Sequence, residues 1–167
     1  QCEHNNVSLK RNMGIQYSAY ENIILIDDDC IPFENYIKNF MRYFLKCDSY
    51  TIICGQYRTK KSKLKKSNYL MYRDSRNFKS NYNNSNLNEP QNLDYKRIVT
   101  GNLGFKKKYI IERQIYFNSN IIGYGGEDVD WAWRLIENGF KIIKSDIKVF
   151  HNETSNSIQA YKRKWFH

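Results

Sequence analysis

The chain has 167 residues, 41% of them hydrophobic and 16% aromatic, enough for one domain with its own core, which excludes disorder over most of the length. Lysine and arginine number 27 against 17 acidic residues, a net charge of +10, which favours an anionic partner such as phosphate or an acidic membrane surface. The chain is also rich in Asn, Ile and Tyr, a mix that AT-rich coding produces by itself, so the charge alone does not make a nucleic-acid binder.

No apolar run approaches the roughly 20 residues needed to span a bilayer, and no signal-peptide pattern is present. The chain begins at Gln1 without an initiating Met, so Gln1 need not be the true start. Cys2, Cys30, Cys47 and Cys54 include no C-x-x-C pair. A zinc site is therefore not expected, and free thiols in a reducing compartment, the cytoplasm, are.

Residues 5 to 20 read as a helix, with Val7, Met13, Ile15 and Ala19 at loose helical spacing and Arg11-Asn12-Met13-Gly14 in its middle. Arg11 and Asn12 either reach a nucleotide or pack locally. Ile23-Ile24-Leu25-Ile26 then runs into Asp27-Asp28-Asp29-Cys30-Ile31-Pro32. A short aliphatic run closed this way reads as a buried parallel strand. Alternation along the strand puts Asp27 and Asp29 on one side and Asp28 on the other. Adjacent carboxylates repel, so they are either a solvated strand end that caps the next helix, or a site for a hard divalent cation with oxygen ligands. In open α/β sheets, ligands bind at the carboxyl ends of strands.

Pro32 suits a first helical turn, and Phe33, Ile37, Phe40, Met41 and Phe44 recur at helical spacing, predicting a core-facing amphipathic helix. Tyr50 to Gly55 reads as the next strand, completing a βαβ unit with a parallel pair. Residues 56–95 contrast with this. They hold the basic run Lys60, Lys61, Lys63, Lys65 and Lys66, scattered Tyr57, Tyr69, Tyr72 and Tyr82, and the low-complexity Asn83-Asn84-Ser85-Asn86. They read as an insert or acceptor loop, with short helical content around 68–76, whose tyrosines could stack on sugar rings or whose charges could simply be solvated.

Arg97 to Phe105 reads as a strand interrupted by Gly101 and Gly104, and glycine inside a strand marks close approach of a ligand or another backbone. A helix over Tyr109 to Arg113 follows. Gly123-Tyr124-Gly125-Gly126 opens a helix near Glu127, with Val129, Ala132, Trp133 and Ile136 on one face and Gly139 as its C-terminal cap. Glu127, Asp128 and Asp130 crowd its first turn, where the helix dipole favours anions. Asp130 and Arg134 form an i,i+4 pair. Lys141 to Phe150 gives one or two strands that deliver His151, and the basic aromatic tail of residues 156–167 closes the chain.

Taken together, Asp27-x-Asp29-x-Ile31-Pro32, Gly123-Tyr124-Gly125-Gly126-Glu127-Asp128-x-Asp130 and Arg134-Leu135 resemble the GT-A nucleotide-sugar glycosyltransferases. They are most similar to the β-1,4-galactosyltransferase C-terminal region and to bacterial family-2 chondroitin-polymerase-like enzymes. Arg11-Asn12-x-Gly14, Thr100-Gly101-Asn102 and His151-x-Glu153 belong to the same pattern. The resemblance implies an α/β GT-A fold with a central, mostly parallel sheet flanked by helices, forming a catalytic domain over residues 1–155. Members of the family usually begin with a further β-α-β segment that holds the nucleotide base. This chain starts just before the Arg11 helix, so a domain lacking that first unit is expected.

The resemblance further implies a metal-dependent transfer of sugar from a nucleotide-sugar donor, a UDP-sugar, to a hydroxyl of a glycan acceptor. Asp29 and His151 would ligate Mn²⁺ or Mg²⁺. Asp27, Arg11, Asn12, Gly101, Asn102, Tyr124, Gly126 and Glu127 would contact the donor, and Asp128 would be the catalytic base of an inverting reaction. A cytoplasmic enzyme, with peripheral membrane association as an option and no nucleic-acid partner, is expected. The alternative is a truncated, inactive GT-A domain that serves as a binding module.

Overall fold

The computed structural model describes residues 6–72, 74–75, 91–122 and 125–152. Asn6 caps the first helix, α1 (Val7–Tyr17), by accepting the Leu9 N–H at 3.0 Å, which satisfies one of the amides a helix start leaves unpaired. Ser18 turns extended and ends it, inside the 5–20 span that spacing predicts.

The aliphatic run forms β1 (Asn22–Ile26) and then stops. Asp27 to Cys30 is a turn, closed by the Cys30 N–H on the Asp27 carbonyl at 3.0 Å. The chain re-enters the sheet as β2 (Cys30–Pro32) at the opposite edge. Alternation therefore does not govern the three acids. Pro32 lies in β2 rather than in a helix, where an edge strand tolerates its missing N–H.

Helix α2 (Tyr36–Lys46) buries Tyr36, Phe40 and Phe44, an i, i+4, i+8 ridge, and leaves Ile37 and Met41 exposed. β3 (Thr51–Arg58) continues three residues past Gly55. A short helix, α3 (Lys61–Leu64), follows, and residues 68–72 and 74–75 are helical. A 3-10 turn at Tyr95–Arg97 leads to β4 (Asn102–Lys106), shorter than the predicted strand, and then to α4 (Lys108–Glu112). Helix α5 (Glu127–Glu137) is followed by Gly139 in the left-handed region, and by one long strand, β5 (Lys141–His151).

The sheet has five strands in the order β1-β4-β3-β5-β2. It is α/β but mixed, which corrects the expectation of a mostly parallel sheet. β4 runs antiparallel to both β1 and β3, β2 runs antiparallel to β5, and only β3 and β5 are parallel. The βαβ arrangement of β1, α2 and β3 is present, but β4 inserts between the two strands, so they share a direction without pairing.

Alternation along the strands splits the core in two. Ile23, Ile52, Leu103, Phe105 and Ile142 pack with Ile15 of α1, Ile110 of α4, and Trp131, Ala132 and Leu135 of α5. Ile53, Ile143, Ile147 and Val149 pack with Tyr36, Phe40 and Phe44 of α2 on the other face. Of the residues expected to share one face, Ala132 is buried, but Trp133 and Ile136 are 47% and 39% exposed. The buried stripe of α5 is centred on Trp131 instead. Gly104 lets α2 press onto β4, since a Cβ there would meet the Phe40 ring at 2.7 Å.

Beyond Cys54 the β3–β5 pairing shifts register, and buried polar groups fill the irregularity. Gln56 donates to the Ser145 carbonyl at 3.0 Å and Ser145 Oγ donates to the Cys54 carbonyl at 3.1 Å. Asn102 is fully buried and donates to the carbonyls of Gln56 and Ile147, both at 3.1 Å, while the Tyr36 hydroxyl donates to its oxygen at 3.1 Å. One side chain thus ties β3, β5 and α2 together. Replacing it strands two buried carbonyls and a hydroxyl, so Asn102→Ala is expected to cost about 2–4 kcal/mol in urea-unfolding experiments.

Candidate active site

The Asp27–Asp29 turn crosses the ends of β3 and β5, where Tyr57 and His151 emerge. Asp27 accepts the Tyr57 hydroxyl at 2.8 Å on one oxygen and faces Arg11 at 3.5 Å on the other. The Tyr57 ring lies parallel to the His151 imidazole, with centroids 4.6 Å apart and planes 8° from coplanar. His151 Nε2 is 3.2 Å from Asp29 Oδ2, and the Asn152 N–H bonds the Asp29 carbonyl at 2.8 Å. Asp28 points to solvent.

From the opposite side come α1 and the start of α5. Arg11 bridges Glu127 at 3.0 Å and Asp27. Its guanidinium lies 5.4 Å from the Phe117 ring centre, and Phe117 stacks on Trp131 at 4.3 Å. Asn12 donates to and accepts from the Phe117 backbone, both at 2.8 Å. Trp131 Nε1 donates to the Ile115 carbonyl at 2.8 Å. The 115–117 segment therefore clamps α1 to α5 and sets where Arg11 points.

Between these elements lies a cavity of about 370 Å³ lined by Arg11, Asp27, Tyr57, Thr100, Gly126, Glu127, Asp128 and His151, a volume in the range of small-molecule sites. A larger hollow of about 570 Å³ between β1 and α2 is lined by Ile24, Ile26, Pro32, Tyr36 and Ile37 among others and has no converging carboxylates. The chemistry gathers in the smaller one. Three carboxylates share it with one guanidinium. Burial, and then the neighbouring Glu127 charge, raise the Asp128 pKa above its ordinary 3.8, against the pull of the Val129 N–H and Arg11. Glu127 has one buried oxygen with no hydrogen-bond partner among the described residues.

Of the residues singled out from sequence, Arg11, Asp27, Gly126, Glu127, Asp128 and His151 line the cavity, and Asp29 sits against His151. Asn12 and Asn102 do not: each spends its amide on a backbone clamp. Gly101 lies beneath the floor, where a Cβ would stand 2.1 Å from both Asp27 Oδ2 and the Tyr57 hydroxyl. It makes room for that pair. Tyr124, Glu153, the 156–167 tail, Tyr82 and the 83–86 run lie outside the described residues.

The sequence pattern groups Tyr57 with the tyrosines of the 56–95 segment, yet its hydroxyl and ring link Asp27 to His151. Extending β3 past Gly55, with Tyr57 on the face of Ile53, is the signal that would have found it. Burial and the Asp27 charge keep its phenol protonated, well above the usual tyrosine range. Cys30, a free thiol as the cysteine pattern predicts, is half-buried at the same turn. Burial, then Asp27 and Asp29, push its pKa to about 12.

Asp29 Oδ2 and His151 Nε2 stand 3.2 Å apart, close to the roughly 3 Å between neighbouring ligands bound at about 2.1 Å to one ion. An oxygen and an imidazole nitrogen fit a divalent cation, the carboxylate suiting magnesium or manganese and the imidazole suiting later transition metals.

No protein-family model matches the chain. The chain is similar to a hyaluronan synthase of Pasteurella multocida, 25% identical over 171 residues. The alignment takes in 87% of this chain and 17% of that protein, so the chain corresponds to about a sixth of its relative's length. The relationship is distant. Among the described residues, no helix is long and apolar enough to cross a membrane.

Because Gly101 accommodates both partners of the Asp27–Tyr57 bond, Gly101→Ala is expected to destabilise the fold by about 1–3 kcal/mol. Adding Tyr57→Phe removes one of the two collisions. The double variant should therefore recover part of the loss, as a double-mutant cycle of unfolding free energies would read.

Proposed function

We propose that this chain is a glycosyltransferase domain that moves a sugar from a nucleotide-sugar donor, a UDP-sugar, to a hydroxyl of a glycan acceptor, with inversion. The observation that carries the reading is the convergence of Asp27, Glu127 and Asp128 with Arg11 on one cavity edged by the Asp29–His151 pair. The distant similarity to a hyaluronan synthase supports it.

In this reading the acceptor oxygen attacks the anomeric carbon while the bond from that carbon to the diphosphate oxygen breaks. Asp128 takes the acceptor's proton. Its raised pKa strengthens it as a base. The buried, unpartnered oxygen of Glu127 accepts a hydroxyl of a bound sugar. Arg11 holds Glu127 and Asp27 in place, and Asp27 faces the nucleotide side. Asp29 and His151 would hold Mn²⁺ or Mg²⁺, which when bound stabilises the negative charge on the departing diphosphate.

Asp128→Asn keeps size and hydrogen bonding but cannot accept the proton. Transfer rate should fall by roughly 10²–10⁴-fold, with nucleotide affinity by calorimetry unchanged. Near-normal turnover in that variant would sink the assignment and point to Glu127.

The pH dependence has a definite sign. The base must be deprotonated, and its pKa lies above 3.8. Turnover should therefore fall on acidification through a pKa higher than that of a free aspartate, and this acidic limb should vanish in Asp128→Asn.

A further inference from the structure

We propose that Cys30 is a third donor at the Asp29–His151 corner, so that this corner selects thiophilic divalent cations, zinc or cobalt, over manganese and magnesium. The inference rests on the reading of that corner as the metal position of the proposed transferase. It adds a ligand that decides which ion the corner holds most tightly.

The geometry comes from the β2–β5 pairing. Cys30 and His151 are direct cross-strand partners, and opposed residues in an antiparallel pair present their side chains to the same face. Asp29 precedes Cys30 in the turn. Its Oδ1 is 3.9 Å from the Cys30 sulfur, and its Oδ2 is 3.2 Å from His151 Nε2. One ligand atom from each of the three residues lies within 4.8 Å of the others. Sulfur and nitrogen ligands on one tetrahedral ion are roughly 3.5 Å apart, so closing the set needs movements of about 1 Å. Asp29, with 40% of its side chain exposed, sits on the turn and leaves the ion a path from solvent.

The chemistry follows from the donor set. A carboxylate alone suits magnesium and manganese, an imidazole shifts preference toward zinc and cobalt, and a thiolate shifts it much further. Binding through sulfur forms one metal–sulfur bond and releases the thiol proton to solvent. A hard ion bound through Asp29, His151 and diphosphate oxygens has no need of Cys30. Zinc would thus compete at the same corner with the ion that supports transfer.

The test is a cobalt titration of the protein followed by absorption, with zinc and manganese affinities measured by competition. Wild type should show a thiolate-to-cobalt charge-transfer band that is lost in Cys30→Ser and kept in Cys2→Ser and Cys47→Ser. Zinc affinity should drop by about tenfold or more in Cys30→Ser while manganese affinity barely changes. Cobalt binding without the band, a band that survives Cys30→Ser, or equal losses for zinc and manganese would each overturn the inference. Manganese-dependent UDP binding with no thiolate band would remove Cys30 and leave the transferase reading standing. The band without any nucleotide binding would do the reverse.

Discussion

Everything at the candidate site depends on one constraint: the chain leaves β1 at Ile26 and must reach the opposite edge of the sheet by Cys30. The only route is across the ends of the strands between. Three acidic residues make that crossing, and the turn points them differently. Asp27 turns toward Arg11 and Tyr57, Asp28 toward water, and Asp29 toward His151. Nearby, β3 and β5 shift register past Cys54, and Asn102 bonds the Gln56 and Ile147 carbonyls there.

The second determinant is an excess of negative charge in a partly enclosed space. Arg11 contacts both Asp27 and Glu127, and one guanidinium cannot balance those two and Asp128 as well. Burial first, and then the neighbouring Glu127 charge, raise the pKa of Asp128, and one buried oxygen of Glu127 has no hydrogen-bond partner among the described residues. Such features are costly to stability unless something binds, and perturbed acids in a cleft are a mark of functional sites. A ligand that brings hydroxyl donors on one side and a cation on the other would satisfy both.

Rigidity on the far side of the cavity comes from aromatic packing. Trp131 is fully buried in α5 and carries Phe117 on its face, and Phe117 in turn supports Arg11 and holds Asn12 through its backbone. The two asparagines expected to contact the donor, Asn12 and Asn102, both act as clamps. Their polarity serves backbone groups that would otherwise be buried unpaired.

Local pattern was enough to read the helix start at Glu127, the cap at Gly139, the Asp130–Arg134 pair and the strand cores, because these depend on neighbours within a few residues. It also marked the acids at 27–29 and at the start of α5 as crowded, since adjacent carboxylates repel, whereas the roles given to Asp128 and His151 came only from the family resemblance. Local pattern could not show that β4 would insert between β1 and β3, that the run into Pro32 would break into two strands at opposite edges, or that Trp131 rather than Trp133 would face the core. Nor could it show that Tyr57 would join Asp27 to His151, or that Cys30 would lie opposite His151. Those outcomes are set by which strands pair and in what register, and pairing energy comes from residues far apart in the chain, where periodicity carries no information.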